Sequence, residues 1–185
     1  NAVARTMMVS IALGGNFEYK DICEEVTYAG SRVQVGNGRI SGDGSVGAWA
    51  AKFVQQWGVV PREKVGAYDL TKYDPARCRA WGRSGVPPEL QTSAKEHPVK
   101  DITLVKTWDE AKRALANGYG IAICSSQGFT MARDANGVAR ASGSWAHCMC
   151  LDGYCSIEGR EHGHIENSWG ASSHTGPVGP GNPST

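Results

Sequence analysis

Helical patterns and strand patterns occupy separate halves of this sequence, and that separation is the strongest constraint on its fold. Apolar residues recur at helical spacing before Gly118, whereas short apolar or alternating runs typical of strands follow it. Segregated helices and strands are typical of α+β proteins rather than of repeated βαβ units. We therefore predict an α+β chain with a helical lobe over about residues 41–100. A β-rich lobe is expected over about residues 101–185, together with the N-terminal segment.

The best-defined helix begins where a glycine-rich stretch ends. The stretch from Gly30 to Gly47 predicts a loop, because glycine, serine, asparagine and aspartate dominate it. Trp49, Phe53 and Trp57 then recur every four residues and predict one apolar stripe on a helix. Gly58 is expected to end that helix as its C-cap.

Shorter elements are predicted along the rest of the chain. Helices are expected behind Asp74-Pro75, behind Pro87-Pro88, and at the capping box Thr107-x-x-Glu110. Strands are expected over residues 99–105, 121–124, 146–154 and 163–169, and residues 3–12 favour a strand or a short helix. The tail from Ser172 to Thr185 is expected to be irregular.

Charge and hydropathy exclude several classes of function. Lys and Arg total 19 and Asp and Glu total 18, so the formal net charge is +1. That balance provides no long-range field for nucleic acid or an anionic membrane. No apolar run approaches the roughly 20 residues that a membrane-spanning helix needs. We predict no nucleic-acid partner and no membrane span, and nothing in the sequence assigns a compartment.

The six cysteines permit disulfides, but a chain of 185 residues does not need them to fold. We expect mainly free thiols, with Cys148 and Cys150 as core residues on one strand. Cys155, His162 and His164 extend this stretch into a possible zinc site, but the spacing is not the usual C-x2-C pairing. The sequence therefore predicts no metal and no cofactor.

Two fragments near the C-terminus stand out together. His147 begins an apolar strand that ends in Gly-Tyr, and Asn167-Ser168-Trp169-Gly170 follows about twenty residues later. This combination resembles the papain-like cysteine peptidases. The resemblance implies that His147 is the general base and acid and that Asn167 holds its imidazole in the working tautomer. It also implies that Trp169 shields their hydrogen bond from water. The resemblance also implies a two-lobe fold, with a peptide or protein in the cleft between the lobes, and Trp49 and Trp169 lining that cleft.

The nucleophile position departs from the family pattern. The family's local signature, Cys-Gly-Ser/Ala-Cys-Trp/Tyr, matches the start of the Trp49 helix, and aligning the tryptophans places Ala48 where the cysteine belongs. Asp43 or Gly42 then falls at the position of the oxyanion-hole glutamine. An ungapped alignment instead puts Trp49 at the cysteine position, so neither choice yields a thiol. Ser45 is interpreted as the N-cap of the helix.

Two functions remain open at this stage. In the first, the chain is a papain-like cysteine peptidase that is inactive as it stands, because Ala48 replaces the nucleophile. In the second, the alanine is natural and the chain is an inactive papain-like module. That module would have a binding or structural role in a larger assembly such as a virus particle.

Overall fold

The computed structural model describes residues 21–170 and 172–178, so the element predicted over residues 3–12 lies outside the described residues. The chain divides into two compact units, one ending at Val105 and the other beginning at Lys106. The described residues form α-helices together with two antiparallel sheets, which confirms the α+β prediction.

The helices are α1 (Glu24–Gly30), α2 (Gly47–Trp57), α3 (Pro75–Ser84), α4 (Pro88–Ala94) and α5 (Trp108–Ala116). The strands are β1 (Lys64–Val65), β2 (Tyr68–Asp69), β3 (Ile121–Phe129), β4 (Ala141–Ile157) and β5 (Arg160–Glu166).

The first unit packs α1 to α4 around a small apolar core, with β1 and β2 as a short antiparallel hairpin. The first unit includes the described residues 21–40. The sequence analysis instead expected the segment before residue 41 to belong with the β-rich lobe. α1 continues into one π-helical turn, Ser31–Val35, so the predicted loop begins six residues later than Gly30. The core side chains of this unit include Val26, Phe53, Val54, Leu70 and Leu90.

Helix α2 forms as its sequence predicts. Ala50, Phe53 and Val54 are buried, and Trp57 stacks on Phe53 with ring centroids 5.4 Å apart. Gly58 ends the helix at φ 89°, a left-handed conformation that glycine adopts without strain. The other predicted helices are also present, and the capping box at Thr107 is formed.

The second unit is a three-stranded antiparallel sheet in the order β3-β4-β5, accompanied by α5. Ser125 faces His147 across the β3–β4 pair, and Leu151 faces Ile165 across the β4–β5 pair. Each strand overlaps a predicted one, but β3 and β4 extend well beyond their predicted bounds. This register places the end of β5 beside the middle of β4.

The strand predicted over residues 99–105 does not form. The segment has no regular structure, and Leu104 is 75% exposed. Alternation makes a strand only where one face is buried against a partner. These residues instead lie at the boundary between the two units.

The Glu24-Glu25 pair at the start of α1 is largely buried. Glu25 is fully buried and accepts hydrogen bonds from the Arg62 and Arg77 guanidinium groups at 2.8 and 2.7 Å. The thiol of Cys23 donates to the same carboxylate at 3.2 Å. Burial, and next the charge of Glu25, raise the pKa of Cys23 to about 12. The two arginines explain how this unit accommodates a buried carboxylate.

Cys148 is not a free core thiol, because it forms a disulfide with Cys124. The two cysteines are direct register partners on β3 and β4, and their Cα atoms lie 4.1 Å apart. Sequence spacing does not reveal such a pairing, since it depends on the strand register. Cys150 is a buried thiol, as predicted.

Within the described part of the chain, the helices are too short and too polar to cross a membrane.

Candidate functional site

The second unit brings His147 and Asn167 together. His147 lies in β4, and Asn167 directly follows β5, the neighbouring strand. His147 Nε2 is 2.9 Å from Asn167 Oδ1. An amide oxygen only accepts hydrogen bonds, so Nε2 carries the proton and donates it. In the neutral ring this leaves the lone pair on Nδ1, which is the nitrogen that can take up a proton.

Trp169 packs directly on the histidine of this pair. Its indole stacks on the His147 imidazole with ring centroids 4.6 Å apart and an interplanar angle of 26°. The edge of Trp145 meets the same indole at 5.3 Å and 72°. Trp169 is nevertheless 43% exposed, so one part of it faces solvent. Of the predicted site residues, His147, Asn167 and Trp169 therefore form one contiguous cluster.

The other predicted site residues lie in the first unit. Ala48 is exposed at the second position of α2. Trp49 is half-buried, and the guanidinium of Arg39 lies 4.9 Å from its ring centroid. A Cβ at Gly36 would come within 2.7 Å of the Trp49 ring, so this indole packs against the turn that follows the π-helical segment.

The loop before α2 is held by one buried side chain. Arg32 is 4% exposed, and its guanidinium donates to the carbonyl oxygens of Ile40 at 2.8 Å and Gly44 at 2.5 Å. Its third contact, at 2.8 Å, is the carbonyl oxygen of Gly82 in α3. Three nitrogens of one rigid group therefore fix the path of the loop. Sequence analysis missed Arg32, because a lone arginine carries no signal of burial.

Ser45 does not cap α2. The N-cap residue is Val46, and it makes no side-chain capping bond. The Ser45 hydroxyl instead lies 2.6 Å from that of Ser31, which donates to the carbonyl of Tyr28 at 2.7 Å. A hydroxyl has one proton, so Ser45 donates to Ser31. The N-cap interpretation is wrong, because the helix begins one residue later than that role requires.

Asp43 is exposed and lines a cavity of about 310 Å³ within the first unit. Burial raises the pKa of two other lining residues, that of Tyr73 to about 12 and also that of Cys78. The cavity therefore holds no activated thiol. An ionised Asp43 accepts hydrogen bonds and does not donate them, so it is a poor replacement for an oxyanion-hole amide.

A second histidine pair in the sheet was not predicted. His164 Nδ1 lies 2.5 Å from a carboxylate oxygen of Asp152. This hydrogen bond is the main cause that raises the pKa of His164 above its ordinary value. Asp152 lies at the register shift between Leu151 and Gly153, next to the part of β5 that carries His164.

No group of three or more His, Cys, Asp or Glu side chains is arranged to hold a metal ion in residues 21–170 and 172–178. The zinc alternative at Cys155, His162 and His164 therefore gains no support from these residues.

Comparison with known proteins gave no match to any protein-family model, curated protein or solved structure.

Proposed function

We propose that this chain is a papain-like cysteine peptidase in a two-lobe papain-like fold, inactive as it stands because Ala48 occupies the nucleophile position. One observation carries the proposal: His147 Nε2 donates to Asn167 at 2.9 Å while Trp169 stacks on the same imidazole. A histidine fixed in one tautomer, with its second nitrogen available, is the general base and acid that amide hydrolysis needs.

The proposed chemistry assigns a role to each group. With a thiol at position 48, His147 Nδ1 takes its proton and forms a thiolate–imidazolium pair. The thiolate attacks the peptide carbonyl, and the imidazolium returns the proton to the leaving amine. The backbone N–H of residue 48 lies in the first turn of α2, where amides lack helical partners, and it would stabilise the oxyanion.

Ala48 removes the first of these steps. A methyl group neither attacks a carbonyl nor transfers a proton, and loss of a nucleophile costs several orders of magnitude in rate. The sequence as it stands would therefore bind a peptide or protein chain without cleaving it.

A second candidate, a naturally inactive papain-like binding module, is favoured by the loop before α2. Asp43 and Glu24 both line the cavity of the first unit, and neither carboxylate stabilises an oxyanion. A module of this kind would bind a partner chain and act within a larger assembly, such as a virus particle.

Labelling with a thiol-directed peptide electrophile separates the two candidates. Rates are compared between the unaltered chain and the Ala48→Cys variant, both with Cys155→Ser to remove a half-buried thiol. Cys23 and Cys78 add little background, because burial raises the pKa of both thiols. The peptidase proposal expects stoichiometric labelling of Ala48→Cys that is lost on adding His147→Ala.

Ser45→Cys is the matched control. It places a thiol in the same loop, three residues earlier, where the Ser45 side chain contacts Ser31. Labelling that depends on His147 is expected in Ala48→Cys and not in Ser45→Cys. The reverse result would show that the nucleophile alignment is wrong. No His147-dependent labelling in either folded variant would reject the peptidase and favour the binding module.

A further inference from the structure

His174 extends the ring stack that covers the predicted histidine. Its imidazole is nearly parallel to the indole of Trp169, with an interplanar angle of 15° and ring centroids 6.4 Å apart. The same indole stacks on His147 at 4.6 Å. Three rings therefore lie roughly parallel, although the sequence pattern predicted only an irregular tail at residue 174.

The segment that carries His174 is fixed to the connection between β3 and β4. Thr175 donates its backbone N–H to Met131 at 3.0 Å and accepts that of Arg133 at 2.9 Å. The Arg133 guanidinium also donates to the carbonyl oxygens of Gly176 at 2.9 Å and Pro177 at 2.7 Å. Arg133 belongs to the connection between β3 and β4. The backbone next to residue 174 is thus held by the connection between β3 and β4, the strand that carries His147.

Contacts with two neighbouring rings support the exposed indole of Trp169. An indole that is 43% exposed has fewer packing contacts than a fully buried one. Trp145 supports it by an edge contact and His174 by a parallel one.

We propose that His174 is a positioning residue, which holds Trp169 over His147 and so keeps water from the hydrogen bond between His147 and Asn167. The effect of His174 on catalysis rests on the proposed function, whereas its protection of the hydrogen bond between His147 and Asn167 does not. The contribution of His174 is its flat ring rather than its ability to titrate. An aromatic replacement should therefore preserve it.

The direct test is the exchange of the His147 Nε2 proton with water, measured by NMR on the ¹⁵N-labelled full chain. His174→Ala should raise the exchange rate by at least about tenfold, and Trp169→Ala should raise it at least as much. His174→Phe should stay within about twofold of the unaltered chain, because the ring is retained. Backbone spectra establish that each variant is folded.

Ser173→Ala is the matched control, since the Ser173 hydroxyl lies 3.0 Å from His174 Nδ1 and its loss leaves both rings in place. It should leave the exchange rate unchanged. His174→Gln is a second variant that removes the ring, in case His174→Ala fails to fold. Equal exchange rates in the unaltered chain and in a folded ring-free variant would overturn the inference. So would an unchanged rate in Trp169→Ala, or an accelerated rate in His174→Phe.

Labelling adds a separate readout. In the Ala48→Cys background, His174→Ala should slow labelling and His174→Phe should restore it. Absence of labelling throughout, with the expected exchange rates, would reject the proposed function and leave the role of His174 intact. Normal labelling with unaltered exchange would reject the role of His174 alone.

Discussion

The two units hold their predicted site residues by different physical means. In the first unit, the loop before α2 follows a path set largely by one buried guanidinium, which donates to carbonyl oxygens of Ile40, Gly44 and Gly82. In the second unit, His147 is positioned by the strand register and the rings packed on it. The first arrangement depends on one side chain, whereas the second is shared among several.

This difference predicts unequal tolerance to substitution. Removing a buried cation leaves several carbonyl oxygens without a donor at once. Removing one contact from a paired sheet leaves its remaining hydrogen bonds in place. Loss of Arg32 should therefore have a larger and more local effect than loss of a single support in the second unit.

The largest effect is expected from Arg32→Met. The variant keeps an apolar stem but removes all three donors, and we expect a loss of about 3–5 kcal/mol in the free energy of unfolding. Amide hydrogen exchange should accelerate in the first turn of α2, near Gly47. Arg39→Met is the control, since its guanidinium contacts one carbonyl and the Trp49 ring. A loss below about 1 kcal/mol in Arg32→Met would show that the loop has other supports.

Replacing both Cys124 and Cys148 by serine should have a smaller effect. A disulfide that closes a loop with a sequence separation of 24 is worth about 3–4 kcal/mol through the unfolded chain. The register should survive, so the bond between His147 and Asn167 should still be detected by NMR. Urea unfolding measures the stability. Loss of the His147 Nε2 proton signal in a folded variant would contradict the shared support that we infer for this unit.

Asp152→Asn should remove a pH-dependent contribution of about 1 kcal/mol. Because Asp152 raises the pKa of His164 in the folded state, protonation favours folding. The stabilisation is therefore fully present below the ordinary pKa of 6.5 and is lost as the pH rises through the folded-state value. The stability difference between the two chains should shrink as the pH rises above 6.5. His162→Gln is the control. A stability difference between the two chains that grows as the pH rises would contradict this interpretation.

Ser31→Ala should give the smallest effect, about 0.5–1 kcal/mol. It removes the acceptor of the Ser45 hydroxyl, but Ser45 is exposed and can bond to water instead. Chemical unfolding of the Ser31→Ala and Arg32→Met variants separates the two supports of the loop. An equal loss in both would mean that the serine pair, and not the guanidinium alone, fixes the loop.

Local signals in the sequence were reliable for the helices. Asp74 caps α3, Thr107 and Glu110 form their capping box, and Gly58 ends α2. Each of these signals acts within a few residues, so it does not depend on the rest of the fold. Segment 99–105 shows that an alternating pattern alone does not make a strand, because these residues do not pair with another strand.

The residues that order the predicted site were harder to find. The pairing of Cys124 with Cys148, and the approach of Asp152 to His164, depend on the exact strand register. The burial of Arg32 and Glu25 depends on contacts distant in sequence, such as Gly82 and Arg77. His147 and Asn167 were found only through a resemblance that named both residues, and their contact follows from the pairing of β4 with β5.

The segment between the units also has a practical consequence. Residues 99–105 lack regular structure, and Lys100 and Lys106 flank the exposed side chains of Ile102 and Leu104. Exposed, irregular chain is where proteases nick first. Brief trypsin digestion should therefore release two fragments of nearly intact fold. Gel filtration would then show whether the two fragments elute together or apart. The result would measure how strongly they associate once the covalent link is cut.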